Sequence, residues 1–133
     1  MLSSKQAREY VSAKRLTSAM NNTRWQALFQ SLNASHRMFQ YRRKDLDGSW
    51  FPEDGISFTP EIAQYWGEFS SMEWFDILAY KEIRKGALLP IEVVDYSDEL
   101  IEIARSVGAK FSIIDHGIRV WGYIRENEQP NLQ

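Results

Sequence analysis

Ser71–Ala79, SMEWFDILA, decides how the rest of the chain is read. Its side chains alternate Met72, Trp74, Asp76, Leu78 against Glu73, Phe75, Ile77, Ala79. Both sets carry large apolar groups, the pattern of a central β-strand covered on its two faces. The same alternation separates Glu73 from Asp76, so this strand alone does not assemble them into an acid–base pair.

Flanking stretches supply partners for that strand. Met38–Leu46 alternates, with Phe39, Tyr41 and Arg43 on one side and Gln40, Arg42 and Lys44 on the other. The run Arg42-Arg43-Lys44 fits either an anion contact or the charged guard of an edge strand. Residues 109–115 and 118–125 suggest a hairpin turning at His116-Gly117, which would set Ile113 opposite Val120 and Phe111 opposite Gly122. Its outer face would carry Arg119, Trp121, Tyr123 and Arg125, a platform for stacking and anion contact unless a helix covers it.

Three helices are expected. Residues 3–20 place Tyr10, Ala13, Leu16 and Met20 on one stripe, with basic residues elsewhere. Residues 24–33 carry Trp25, Leu28, Phe29 and Leu32 behind a Thr23–Gln26 capping box. A third helix begins at a Ser97 cap, with Asp98 and Glu99 in its first turn and Gly108 at its end. Between the second strand and the third helix, residues 80–85 suggest a helical turn, and Pro90 makes 88–94 an extended connector. The predicted fold is α+β: a mainly antiparallel sheet of four or five strands with three helices mostly on one face. Residues 20–125 form the domain, 1–19 a helical extension and 126–133 a flexible tail.

Composition narrows the chemistry. The 133 residues fit one domain and include no cysteine, which excludes disulfides, thiol catalysis and thiolate metal sites and fits a reducing cytoplasm. No apolar run approaches a bilayer span, so no membrane is expected. Net charge is -2, yet residues 1–44 hold nine basic side chains against Glu9 alone, about +8, leaving about -10 for the remainder. Only His36 and His116 are present, at no metal-binding spacing, and no phosphate loop or nucleophile elbow occurs. Neither cofactor nor metal is expected. Residues 49–70 pack six aromatics, Trp50, Phe51, Phe58, Tyr65, Trp66 and Phe69, into irregular sequence that serves either as a core lid or as a binding loop.

Met20-Asn21-Asn22-Thr23-Arg24-Trp25, Met72-Glu73-Trp74, Val94-Asp95-Tyr96-Ser97 and Val120-Trp121-Gly122-Tyr123-Ile124-Arg125 together resemble an uncharacterised bacterial domain family. Arg24 stands where lysine is usual there, and Met72 where isoleucine is usual. The resemblance implies a single bacterial domain and transfers no catalytic residue. The charge polarity, abundant aromatics and thin catalytic inventory point first to a non-enzymatic protein-interaction module, immunity-like or regulatory. The alternative is a small-ligand or nucleic-acid binder using Trp121, Tyr123, Arg119, Arg125, Arg42, Arg43 and Trp66. An enzyme built from carboxylates brought together by the fold stands third.

Overall fold

A computed structural model describes residues 2–35, 37–51 and 69–133, and the backbone of 57–58. Helix α1, Ser4–Lys14, opens with a capping box: Ser3 Oγ accepts from the Gln6 amide, and the Gln6 side chain accepts from the Ser3 amide. It ends where Arg15 turns left-handed at φ 55°, so the stripe expected to run through residue 20 is cut short. Strand β1, Thr17–Ser18, follows instead. Helix α2, Asn22–Ala34, is capped by Asn21, whose Oδ1 accepts from the Arg24 amide at 2.8 Å. The cap therefore lies two residues before the expected Thr23. Trp25, Leu28, Phe29 and Leu32 are its buried stripe, as their spacing predicts.

The main sheet has the order β3–β2–β5–β9–β8, every neighbouring pair antiparallel. Its members are β2 Gln40–Asp45, β3 Trp50–Phe51, β5 Met72–Leu78, β8 Phe111–Ile114 and β9 Gly117–Trp121. A short β4, Ser57–Phe58, also pairs with β2. The α+β prediction holds, with β5 at the centre. Strand β2 is not an edge: β5 lies on one side and β3 and β4 on the other. Its three cations are therefore not an edge guard.

Helix α2 and a third helix, α3 (Ser97–Ser106), cover one sheet face. Tyr41, Phe75, Ile77, Phe111, Ile118 and Val120 pack there with Trp25, Leu28, Phe29, Leu100 and Ala104. Tyr41 stacks on Phe75 at 5.1 Å, and Phe29 meets Phe75 edge-on at 5.2 Å. At roughly 2 kcal/mol for each large side chain buried, this face is the main source of stability.

The β8–β9 hairpin turns at Asp115-His116, with the positive φ (60°) on His116 rather than on glycine. Phe111 thus faces Val120, and Ile113 faces Ile118. The register differs from the expected one by two residues, an even step that leaves every side chain on its expected face. Gly117 is required for another reason: a Cβ there would lie 1.9 Å from the Ile77 carbonyl oxygen of β5.

Two further expectations are corrected between β5 and α3. Residues 80–83 are not a helical turn but β6, Tyr80–Ile83, paired antiparallel with β7, Glu92–Asp95, in a separate two-stranded ribbon. The β-branched pair Val93-Val94 favours this extended form, and Pro90 stays outside the paired segment. Helix α3, Ser97–Ser106, has Tyr96 at its N-cap position with no side-chain cap, so Ser97 is its first residue rather than its cap; Asp95 Oδ1 instead accepts from the Ser97 amide at 2.8 Å and the Ser97 hydroxyl at 2.6 Å. Strand β10, Tyr123–Ile124, closes on β1. Beyond it the Gln133 amide donates to Phe111 O at 2.9 Å.

The close approach at Gly117 generates a direct test. Gly117→Ala should destabilise the fold by about 3 kcal/mol, as overpacking against backbone does. Gly86→Ala, whose Cβ would meet only Leu89 at ordinary contact distance, should be nearly neutral. Urea denaturation midpoints of the two variants check both.

Candidate functional site

Cross-strand register places Lys44 opposite Trp74, Trp74 opposite Trp121, and Asp76 between Arg42 and Arg119. Directly opposed residues share a face, so this group lies away from α2 and α3. Trp50 joins from β3, giving a row of rings in edge-to-face contact: Trp50 to Trp74 at 5.9 Å and Trp74 to Trp121 at 5.2 Å. Cations cover the rings. The Arg42 guanidinium lies 4.1 Å from the Trp50 centroid, Lys44 Nζ 4.2 Å from that of Trp74, and the Arg119 guanidinium 4.3 Å from that of Trp74. Trp74 and Trp121 keep only 8% and 7% of their surface exposed.

Asp76 receives both Arg119 Nε (2.7 Å) and Nη2 (3.0 Å). Trp121 Nε1 donates to Ser112 Oγ at 3.0 Å. Two other donors on this face are sealed from solvent without a hydrogen-bond acceptor among the described residues: Trp74 Nε1 and Arg42 Nε.

Glu73 occupies a different position. Lys44 pairs with Trp74 but Asp45 pairs with Met72, so Glu73 is the extra residue of a β-bulge. Its side chain is fully buried. Arg125 Nε donates to it at 2.7 Å, Arg125 Nη2 at 3.3 Å, and Lys44 Nζ lies 3.7 Å away. Arg125 Nη1 also reaches the Tyr10 hydroxyl at 3.2 Å, joining α1 to the sheet. The hydrogen bond to Glu73 holds the Arg125 proton even more firmly than usual. Glu73 and Asp76 thus have separate arginines.

The residues singled out from sequence are distributed over several environments. Arg119, Trp121 and Arg42 share the tryptophan face. Arg125 belongs to the Glu73 cluster, and the Tyr123 hydroxyl donates to Ser70 O at 2.7 Å. Burial raises the Tyr123 phenol pKa. Arg43 points the other way, 1% exposed, and donates to Asp45 at 2.6 and 2.9 Å. Burial outweighs this arginine and keeps the Asp45 carboxyl above the usual carboxylate range. Trp66, His36 and the helical turn expected near Pro60 lie outside the described residues. Of the aromatic stretch, Phe69 is a core residue and Trp50 joins the ring row. Sequence reasoning did not connect Trp50, Trp74 and Lys44 with Trp121, because only strand register does so.

A second surface lies on the β6–β7 ribbon. Leu88 is 98% exposed, Leu89 56%, Val93 47% and Ile91 44%. The base of the ribbon is tied to the β8–β9 turn: the Ala79 amide donates to His116 O, His116 Nδ1 lies 2.8 Å from Asp95 Oδ2, and the Tyr80 and His116 rings are 4.8 Å apart. Hydrogen bonds from Ser97, then His116, lower Asp95 to about 2, and the Asp95 bond raises His116. A cleft of about 380 Å³ between ribbon and β2 is lined by Met38, Gln40, Tyr80 and Tyr96. Among the described residues no cluster of His, Asp and Glu could hold a metal, and no helix is long and apolar enough to cross a membrane.

The family described as Family of unknown function (DUF6678) matches residues 7–127. No curated protein matches the chain, and no solved structure does.

Two outcomes follow from these contacts. Glu73→Ala should cost about 3–5 kcal/mol in a urea titration, because Arg125 and Lys44 lose the buried charge between them. His116 has a raised folded pKa, so its contribution is complete below its unfolded value near 6.5 and fades as pH rises through the folded one. The stability advantage of wild type over His116→Asn, a residue that tolerates the same left-handed turn, should therefore be largest in mild acid and shrink with rising pH. A difference independent of pH would remove the Asp95–His116 contact from this role.

Proposed function

We propose that this chain, which belongs to the family of unknown function DUF6678, binds another protein through the tip of the β6–β7 ribbon, as a non-enzymatic immunity-like or regulatory module in the cytoplasm. The observation that carries this reading is the exposure of Leu88, Leu89, Ile91 and Val93 within six residues of chain. Apolar side chains concentrated on a projecting hairpin have the anatomy of an interface anchor rather than of ordinary surface. Lys85 pairs with Glu92 at 3.0 Å, and Lys81, Glu82 and Arg84 stand beside them, so the rim is of mixed charge and fits an apolar cleft bordered by mixed charge.

The carboxylates support a binding role over catalysis. Glu73, Asp76 and Asp45 each hold an arginine already. Nucleic-acid binding by base stacking draws less support, since the faces of Trp50 and Trp74 carry cations from the chain itself. The absence of cysteine agrees with a reducing compartment.

A photo-crosslinking residue at position 88, expressed in the native host, should form one dominant adduct with a different protein. Leu88→Asp should then weaken the purified complex by roughly thirtyfold or more while leaving the melting temperature unchanged. An adduct with a second copy of the chain, no dominant adduct, or unaltered affinity of Leu88→Asp would each reject this reading.

A further inference from the structure

We propose that the ribbon's protein partner adds an extended segment as a further strand to the open edge of β6, seated in the cleft between β6 and the entry to β2. This rests on the ribbon reading for the existence of a protein partner and adds what that partner presents and where its backbone pairs.

The cleft exists because the main ladder splits at Ala79. Up to Leu78 the central strand pairs with β2, with Gln40 opposite Leu78. The chain then runs on into β6, but the residues before Gln40 do not follow it: Met38 O accepts from the Tyr96 hydroxyl instead. The two chains diverge around a space of about 380 Å³, with Met38 and Gln40 on one wall and Tyr80, Lys81 and Glu82 on the other.

The β6 wall presents backbone groups to that space. Ala79 turns both of its own toward β9 and β7: its amide donates to His116 O at 2.8 Å, and its carbonyl accepts from the Tyr96 amide at 2.8 Å. Backbone groups alternate sides along a strand, so Lys81 and Ile83 face β7 while Tyr80 and Glu82 face the cleft. Tyr80 O receives the Gln40 side-chain amide at a long 3.4 Å. The ladder leaves the Tyr80 N–H and both Glu82 groups open, and no strand among the described residues pairs with β6 on this side. Donors and acceptors at strand spacing are what an extended peptide satisfies and a small molecule does not.

Charge narrows the segment further. Arg37 is held by Glu99 at 2.9 and 3.0 Å, with its guanidinium 4.8 Å from the Tyr96 ring centroid, and so forms a fixed wall. Lys81 and Glu82 are exposed, have no ion pair among the described residues, and stand opposite Val94 and Val93 on β7. An incoming strand with an acid beside Lys81 and an adjacent base beside Glu82 satisfies both. Met38, 52% exposed, adds an apolar contact at the mouth.

The test pans a phage-displayed library of random short peptides on the intact chain, so it needs no partner in hand. Recovered peptides should share adjacent acidic and basic residues. A synthetic copy should slow amide exchange at Tyr80 and Glu82 by roughly tenfold or more and leave Leu88 unchanged. Glu82→Pro should weaken that peptide roughly tenfold or more at an unchanged melting temperature, because a proline there removes a donor to the cleft and no bond to β7. If Glu82→Pro lowers the melting temperature, Lys81→Glu carries the test, with an expected loss of roughly fivefold. Recovery of no peptide, or unchanged affinity in the variant that keeps its melting temperature, overturns the site. Self-association of the free chain that protects Tyr80 and Glu82 assigns the edge to a second copy and overturns it too. Protection at Leu88 in place of Tyr80 and Glu82 overturns the cleft site alone, whereas the ribbon-tip reading fails separately, in the crosslink at position 88.

Discussion

A central strand must be satisfied on both faces, and β5 meets that constraint in two unlike ways. Toward the helices, Phe75 and Ile77 enter an aromatic core with Phe29, Tyr41 and Trp25, as a strand under helices does. On the other face, Trp74 and Asp76 are covered by neighbouring strands' own side chains: Trp50, Trp121, Arg42, Lys44 and Arg119. The cations contribute their alkyl stems as well as their charge, so long polar side chains act here as a packing layer. Had that layer been aliphatic, this face would have required a further helix.

The bulge at Glu73 is where this arrangement is joined to the remaining elements. The extra residue places a carboxylate in full burial, and that charge is tolerable only because Arg125 and Lys44 approach it. Arg125 follows β10, which pairs with β1, and also reaches Tyr10 of α1. Both ends of the described chain are thereby held to the central strand through one ion cluster. On the opposite side, the Asp95 carboxylate serves α3 and His116 together, so the ribbon base, a helix start and a hairpin turn share one side chain.

Much of the fold was legible in the sequence. The alternation at Met72–Leu78 identified the central strand, and the Trp25–Leu32 stripe identified its covering helix, because burial imposes those periods directly. Boundaries were less legible where two local solutions compete. Asn21 displaced Thr23 as cap because either can accept from an amide two or three positions on. His116 took the positive φ that Gly117 could have taken, since Gly117 was committed to close approach with Ile77. The 80–95 segment hid a ribbon behind Pro90 and a charged run, because a two-stranded ribbon has no core face to impose a pattern. The tryptophan face was legible only by halves. Arg119 and Trp121 were visible together on one strand, but their union with Lys44, Trp74 and Trp50 depends on register across four strands, which no local signal encodes.

The functional reading follows from what this construction leaves over. Glu73, Asp76 and Asp45 are held by arginines, and apolar residues gather at an exposed ribbon tip. The open face of the sheet depends on one claim, that the cation-covered tryptophan row is a true packing layer of β5. A double-mutant cycle between Trp74→Leu and Arg119→Met, read by urea denaturation, tests that claim most directly. The expected coupling is about 1 kcal/mol in favour of the native pair, as for a partly desolvated cation over an indole ring. Additive losses, with coupling indistinguishable from zero, would contradict it.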